Sequence, residues 1–116
     1  MITSSKQTKL FKKNQIIYNQ NDNVENIYWI LDGIVNSINT NKIKENFTLE
    51  RGNSLGLIDL ILRRPFSRKM VAKSTVSLAV LEKENIEKIL NKNKLTAVLI
   101  RSLAINIDNN YPNTWS

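Results

Sequence analysis

The chain of 116 residues contains neither cysteine nor histidine, and only three glycines and two prolines. Without cysteine there is no disulfide, no thiolate nucleophile and no thiolate-bound metal. Without histidine as well, most zinc sites and most nucleophile–base pairs cannot be assembled. No run approaches the ~20 apolar residues of a membrane-spanning helix, so no membrane partner is expected. The opening stretch "MITSSKQTKLFKKNQ" has no apolar segment before its cations, which argues against a secretory signal. The acids Asp22, Asp32, Asp59, Glu82 and Glu84 fall mostly in turns and at a helix start, where solvated or capping roles suffice. No enzyme and no cofactor is expected.

What is present describes one globular domain. Hydrophobic residues make up 41% of the chain, too many for general disorder and enough for a single core. Seventeen basic residues against ten acidic ones give a net charge of +7. That balance fits an anionic partner such as nucleic acid, a small carboxylate or a phosphate, and equally a solvated lysine-rich surface. Heavy use of Asn, Lys and Ile is what an AT-rich genome produces, as in an organelle or an AT-rich microbe.

Periodicity places short strands first and helices last. "NQIIYNQND" reads as a strand ending in a polar turn. Ile27, Trp29 and Leu31 alternate with Tyr28 and Ile30, with Trp29 assigned to the core, and "LDG" at 31–33 carries the Asp-Gly hairpin signal. Ile43 to Leu49 is expected to return as a strand, and another pair is expected around 70–72 and 76–81. From Glu82 the period becomes helical through Ile86, Ile89 and Leu90. A second helix is expected from about Leu95 to Asp108, stopping before Pro112 because the pre-proline Tyr111 is disfavoured in a helix. The pattern is mainly β with C-terminal helices, an antiparallel barrel or jelly roll.

"FKKNQIIYNQNDNVENIYWILDGIV" resembles the opening of the cyclic-nucleotide-binding fold of Crp/Fnr regulators. Gln20, Asp22 and Gly33 match that pattern, while Asn14 and Asn21 stand at glycine positions; Asn tolerates the left-handed conformation better than other non-glycine residues. The resemblance continues through "LERGNSLGLIDLILRRPFSRKMVAKSTVSLAVLEKENIEKIL" and implies the double-stranded β-helix form of the jelly roll. In cyclic-nucleotide binders a glycine-glutamate pair opens a short helix, and a later arginine pairs the phosphate. Here Gly56 is kept, but Leu57 and Phe66 occupy the glutamate and arginine positions, which argues against cyclic-nucleotide binding.

"NSLGLIDLI" and "FSRKMVA" are similar to the cyanobacterial global nitrogen regulator and its red-algal plastid homologues, whose effector is the dicarboxylate 2-oxoglutarate. The resemblance implies an effector site at Gly56, Leu57, Ile58 and Arg68, where helix-start amides and one arginine suit a carboxylate. Arg63 and Arg64 read as solvated loop residues, and Asp59 as an acid that would repel a dianion. On the last helix Asn106 and Tyr111 stand at the regulator's arginine and glutamate positions, with Arg101 too early to substitute. Ala97, Ile100, Ala104 and Ile107 have the spacing of a dimerisation seam, or of a helix packed on its own barrel.

The expected organisation is an effector domain over 1–92 and a partial dimerisation helix with tail over 93–116. The implied function is a nitrogen-control transcriptional regulator shortened to its sensing domain, reaching DNA only through a missing domain or a partner. A homodimer, and a location in the plastid stroma or a bacterial cytoplasm, go with it. The competing expectation is a degenerate barrel acting as a protein interaction module.

Overall fold

The computed structural model describes residues 7–109. The strands among them are β1 (Thr8–Phe11), β2 (Ile16–Tyr18), β3 (Asn26–Asp32), β4 (Val35–Ile38), β5 (Phe47–Leu49), β6 (Ser54–Leu55), β7 (Lys69–Ala72) and β8 (Val76–Glu82). The helices are α1 (Leu57–Ile61), α2 (Lys83–Leu90) and α3 (Lys94–Asn109). Two four-stranded antiparallel sheets, ordered β1-β8-β3-β6 and β2-β7-β4-β5, form the jelly roll.

Alternation decides which side chains fill it, since successive residues of a strand face opposite sides. Val76, Leu78 and Val80 of β8 point inward, and the register sets Leu78 against Ile30 and Val80 against Tyr28. In the second sheet Val35 pairs with Ala72 and Ser37 with Met70, and all four are buried. Parity puts Ile27 and Leu81 on the outer face, yet both are buried, and Ile86 of α2 packs against the cluster that contains them. Trp29 shares that outer face, between Ala79 and Ser54, and is 38% exposed. Its assignment to the core is therefore corrected: the parity that buries Tyr28 and Ile30 turns Trp29 outward.

The expected strand over 43–49 is also shorter. Ile43–Glu45 is a single 3-10 turn, and only Phe47–Leu49 pairs with β4. The Asn39 side chain accepts from the amides of Asn41 and Lys42, while Asn46 Oδ1 accepts from the Asn39 amide. Such local bonds offer the backbone an alternative to the ladder. Asn14 and Asn21 both have φ of 74°, the left-handed conformation anticipated for them.

Asn93 starts α3 as an N-cap, its Oδ1 accepting from the Thr96 amide. Of the seam residues Ala104 is 2% exposed and Ala97 and Ile100 are half-buried within the chain's own domain, while Ile107 is 37% exposed. The exposed apolar residues of α3 include Leu95, Val98, Leu99 and Leu103. Tyr111, Pro112 and the expected helix stop lie outside the described residues.

Candidate functional site

A cavity of about 310 Å³ lies between α1, the second sheet and the end of α3. Gly56, Leu57, Ile58 and Arg68 all line it, with Tyr18, Leu49 and Met70 among the neighbours and Ile107 and Asp108 on the α3 side. The fold thus brings together the four residues singled out from the sequence. Two wider surface depressions, about 890 and 440 Å³, touch the C-terminal part of α1 but neither Arg68 nor residues 56–58.

Gly56 shapes the entrance to α1. Its φ of +88° is left-handed, and a Cβ there would stand 2.5 Å from Cε1 of Phe66. Phe66 cannot easily yield. Its ring stacks on Tyr18 with centroids 3.5 Å apart, its N–H donates to Asp22 O (2.9 Å), and its carbonyl accepts from the Asn21 amide (2.7 Å). The aromatic side chain at the arginine position of nucleotide binders is therefore a structural pin between the β2–β3 turn and α1.

Arg68 is 5% exposed, so it is not a surface residue. Its Nε donates to Ser37 Oγ (2.6 Å), and its Nη2 donates to the carbonyls of Ser37 (3.2 Å) and Glu45 (2.6 Å). The guanidinium carbon also lies 4.7 Å from the Phe47 ring centroid, within cation–π range. These partners sit on β4, the 3-10 turn and β5, so the guanidinium is held on the sheet side of the cavity while residues 57–58 begin α1.

Arg64 is not a solvated loop residue, and that expectation is corrected. Its Nε donates to Asp59 Oδ1 (2.7 Å), and its Nη1 and Nη2 fork onto Asp108 at 2.9 and 2.6 Å. The sequence separation of 44 residues hid this pairing. Hydrogen bonding from Arg64 lowers the Asp108 pKa below its ordinary 3.8, against the opposing effect of burial. In return Asp108, the largest influence on it, raises the Arg64 pKa. Asp59 is buried rather than facing solvent, and its second oxygen accepts from the Ser67 amide (3.1 Å). Arg63 is exposed, as expected, with φ of 56°.

On α3 the sequence reasoning pointed to Asn106, which is exposed; the cavity is instead lined by Ile107 and Asp108. Ser37 was also missed, and no local signal marks a serine in a strand as an arginine partner. Among the described residues no group of three potential metal ligands is assembled, and no helix is long and apolar enough to cross a membrane.

The sequence profile of the cyclic nucleotide-binding domain matches residues 8–93. No curated protein matches the sequence. Among solved structures, the EAL enzyme Bd1971 in its cAMP-bound form is 28% identical, with a TM-score of 0.75. The match covers 87% of this chain, which spans only 28% of that one. The regulatory domain of Toxoplasma gondii PKA with cAMP is 16% identical, with a TM-score of 0.72 over 90% of this chain and 41% of that one. The regulatory subunit of a cAMP-independent protein kinase A from Trypanosoma brucei is 18% identical, with a TM-score of 0.72 over 93% and 36%. These last two likenesses concern the fold alone.

Proposed function

The chain belongs to the cyclic nucleotide-binding domain family, and on that premise we propose that its cavity senses a small dicarboxylate of the 2-oxoglutarate class in place of a cyclic nucleotide. The observation that carries this reading is Arg68. A buried guanidinium is held in fixed geometry on the wall of a cavity whose lining also includes Leu49, Leu57, Ile58 and Met70. The fixed positive charge of such a group suits a carboxylate. Gly56, Leu57 and Ile58 line the same space, and Leu49 and Met70 offer apolar contact to a short carbon chain.

A cyclic nucleotide fits these residues poorly. Leu57 cannot accept a hydrogen bond from a ribose hydroxyl, and Phe66 cannot pair a phosphate. The cAMP-bound form of Bd1971 makes the nucleotide the natural competitor in any test.

The resemblance to nitrogen-control regulators supports a role in transcriptional regulation, with DNA contacted by another domain or partner, in a plastid stroma or a bacterial cytoplasm. A second reading, an interaction module without a small ligand, is favoured by Leu95, Val98, Leu99 and Leu103, each 59–68% exposed on α3.

Calorimetric titration separates these readings. Saturable heat is expected with 2-oxoglutarate and none with millimolar cyclic AMP. Arg68→Ala should weaken dicarboxylate binding by about 1.5–3 kcal/mol, the range for a hydrogen bond to a charged group. Micromolar binding of cyclic AMP overturns the dicarboxylate reading, and silence with both ligands favours the interaction module.

A further inference from the structure

The cavity already contains a carboxylate. Asp108, near the end of α3, enters its lining and is gripped by both terminal nitrogens of Arg64 at 2.9 and 2.6 Å. This is the two-point geometry by which an arginine receives a free carboxylate. Arg64 belongs to the loop after α1, and Asp59 fixes its Nε at 2.7 Å, so the fork is aimed before any ligand arrives. Its side chain and that of Asp108 are 33% and 31% exposed, so the pair is open enough to exchange partners. The cavity lining holds two cations, Arg64 and Arg68, and two anions, Asp59 and Asp108. With all four in place their formal charges cancel, and a dianion gains little by entering. Removing Asp108 leaves an excess of one positive charge and an empty guanidinium fork.

Resting on the dicarboxylate reading above, we infer that Asp108 is a tethered stand-in for the ligand: it occupies on Arg64 the place of the effector's second carboxylate, and effector binding expels it and frees the end of α3. Arg64 then becomes the second anion-binding residue, with Arg68 taking the other carboxylate. Selection for two carboxylates over one follows, because only the second of them displaces Asp108. The readout is mechanical as well as chemical, since the Arg64–Asp108 pair ties α3 to the loop after α1.

The test compares the wild-type chain with Asp108→Asn, which keeps the shape and removes the charge, and with Asp108→Ser. Calorimetry uses 2-oxoglutarate and the monocarboxylate pyruvate as probes. Hydrogen exchange follows residues 100–109 with and without 2-oxoglutarate. Both variants should bind 2-oxoglutarate about tenfold more tightly than wild type, the equivalent of releasing one charged hydrogen bond. Pyruvate affinity should change by less than about threefold. In the wild type, 2-oxoglutarate should accelerate exchange in the last turns of α3. Binding by the variants alone would show Asp108 blocking the site permanently and would refute its displacement by the effector. If wild type binds 2-oxoglutarate and the variants bind it equally or more weakly, the stand-in role is refuted while the dicarboxylate site survives. If none of the three proteins binds it, both readings fall together.

Discussion

Replacing Gly56 by alanine puts a number on how the start of α1 is built. Two separate costs are expected. The backbone at φ +88° must hold an L-residue in the left-handed region, which costs roughly 1–2 kcal/mol. The new Cβ would also stand 2.5 Å from Cε1 of Phe66, whose ring is backed by Tyr18 at 3.5 Å and whose backbone is bonded on both sides. Relief requires moving the ring or the start of α1, and overpacking of this kind costs about 1–3 kcal/mol. The sum is about 2–5 kcal/mol, a large part of the roughly 5–15 kcal/mol that stabilises a typical domain. Gly52→Ala is the internal control: its φ is +93°, but nothing lies within 4 Å of the added carbon, so only the backbone cost applies. Urea denaturation followed by circular dichroism gives both values. The Gly56 variant should lose about 1–3 kcal/mol more than the Gly52 variant, and adding Phe66→Leu should recover part of that difference. Equal losses at the two glycines would refute the claim that Phe66 pins the start of α1.

Arg68→Met removes the donor to Ser37 Oγ and to two carbonyls, and should cost about 2–4 kcal/mol in denaturant unfolding; a loss under about 1 kcal/mol contradicts its place in the barrel wall. The Asp108 pKa is lower in the folded than in the unfolded chain, so its contribution is present above the unfolded value and lost as pH falls through the folded one. Hydrogen exchange at the end of α3 should therefore be steady between about pH 5 and 7 once corrected for intrinsic rates, and should accelerate only below about pH 4; loosening near neutrality rules out the Arg64–Asp108 tie. With a net charge of +7 the protein should shift a nitrogen-control promoter and a scrambled duplex equally, and the shift should vanish as salt rises; a hundredfold preference for the promoter contradicts this.

The barrel was legible because alternation and turn chemistry act locally. Val76, Leu78 and Val80 announce an inward face, and Asn14 and Asn21 mark left-handed turns. β1 and β6 were not foreseen, since β1 is an exposed edge strand without alternating burial and β6 has two residues. Trp29 was misplaced because composition says core and only register says outward. At the site, Gly56 and Arg68 were singled out through the resemblance to the nitrogen regulators. The ties among Arg64, Asp59 and Asp108 were not, because a contact across 44 residues leaves no periodic trace. The spacing of Ala97, Ile100 and Ala104 was legible as an apolar stripe, while its partner, the chain's own domain, came only from the packing.

The central claim is that the cavity beside Arg68 receives a dicarboxylate and not a cyclic nucleotide. The most direct measurement is nitrogen-15 NMR of the labelled protein during parallel titrations with 2-oxoglutarate and cyclic AMP. The buried Nε–H of Arg68, hydrogen-bonded to Ser37, is the reporter, together with the amides of Gly56, Leu57 and Ile58. The account predicts that 2-oxoglutarate moves these four signals in a saturable way and that cyclic AMP leaves them in place. Saturable shifts of the same signals by cyclic AMP, or 2-oxoglutarate shifts confined to surface lysines, would contradict it.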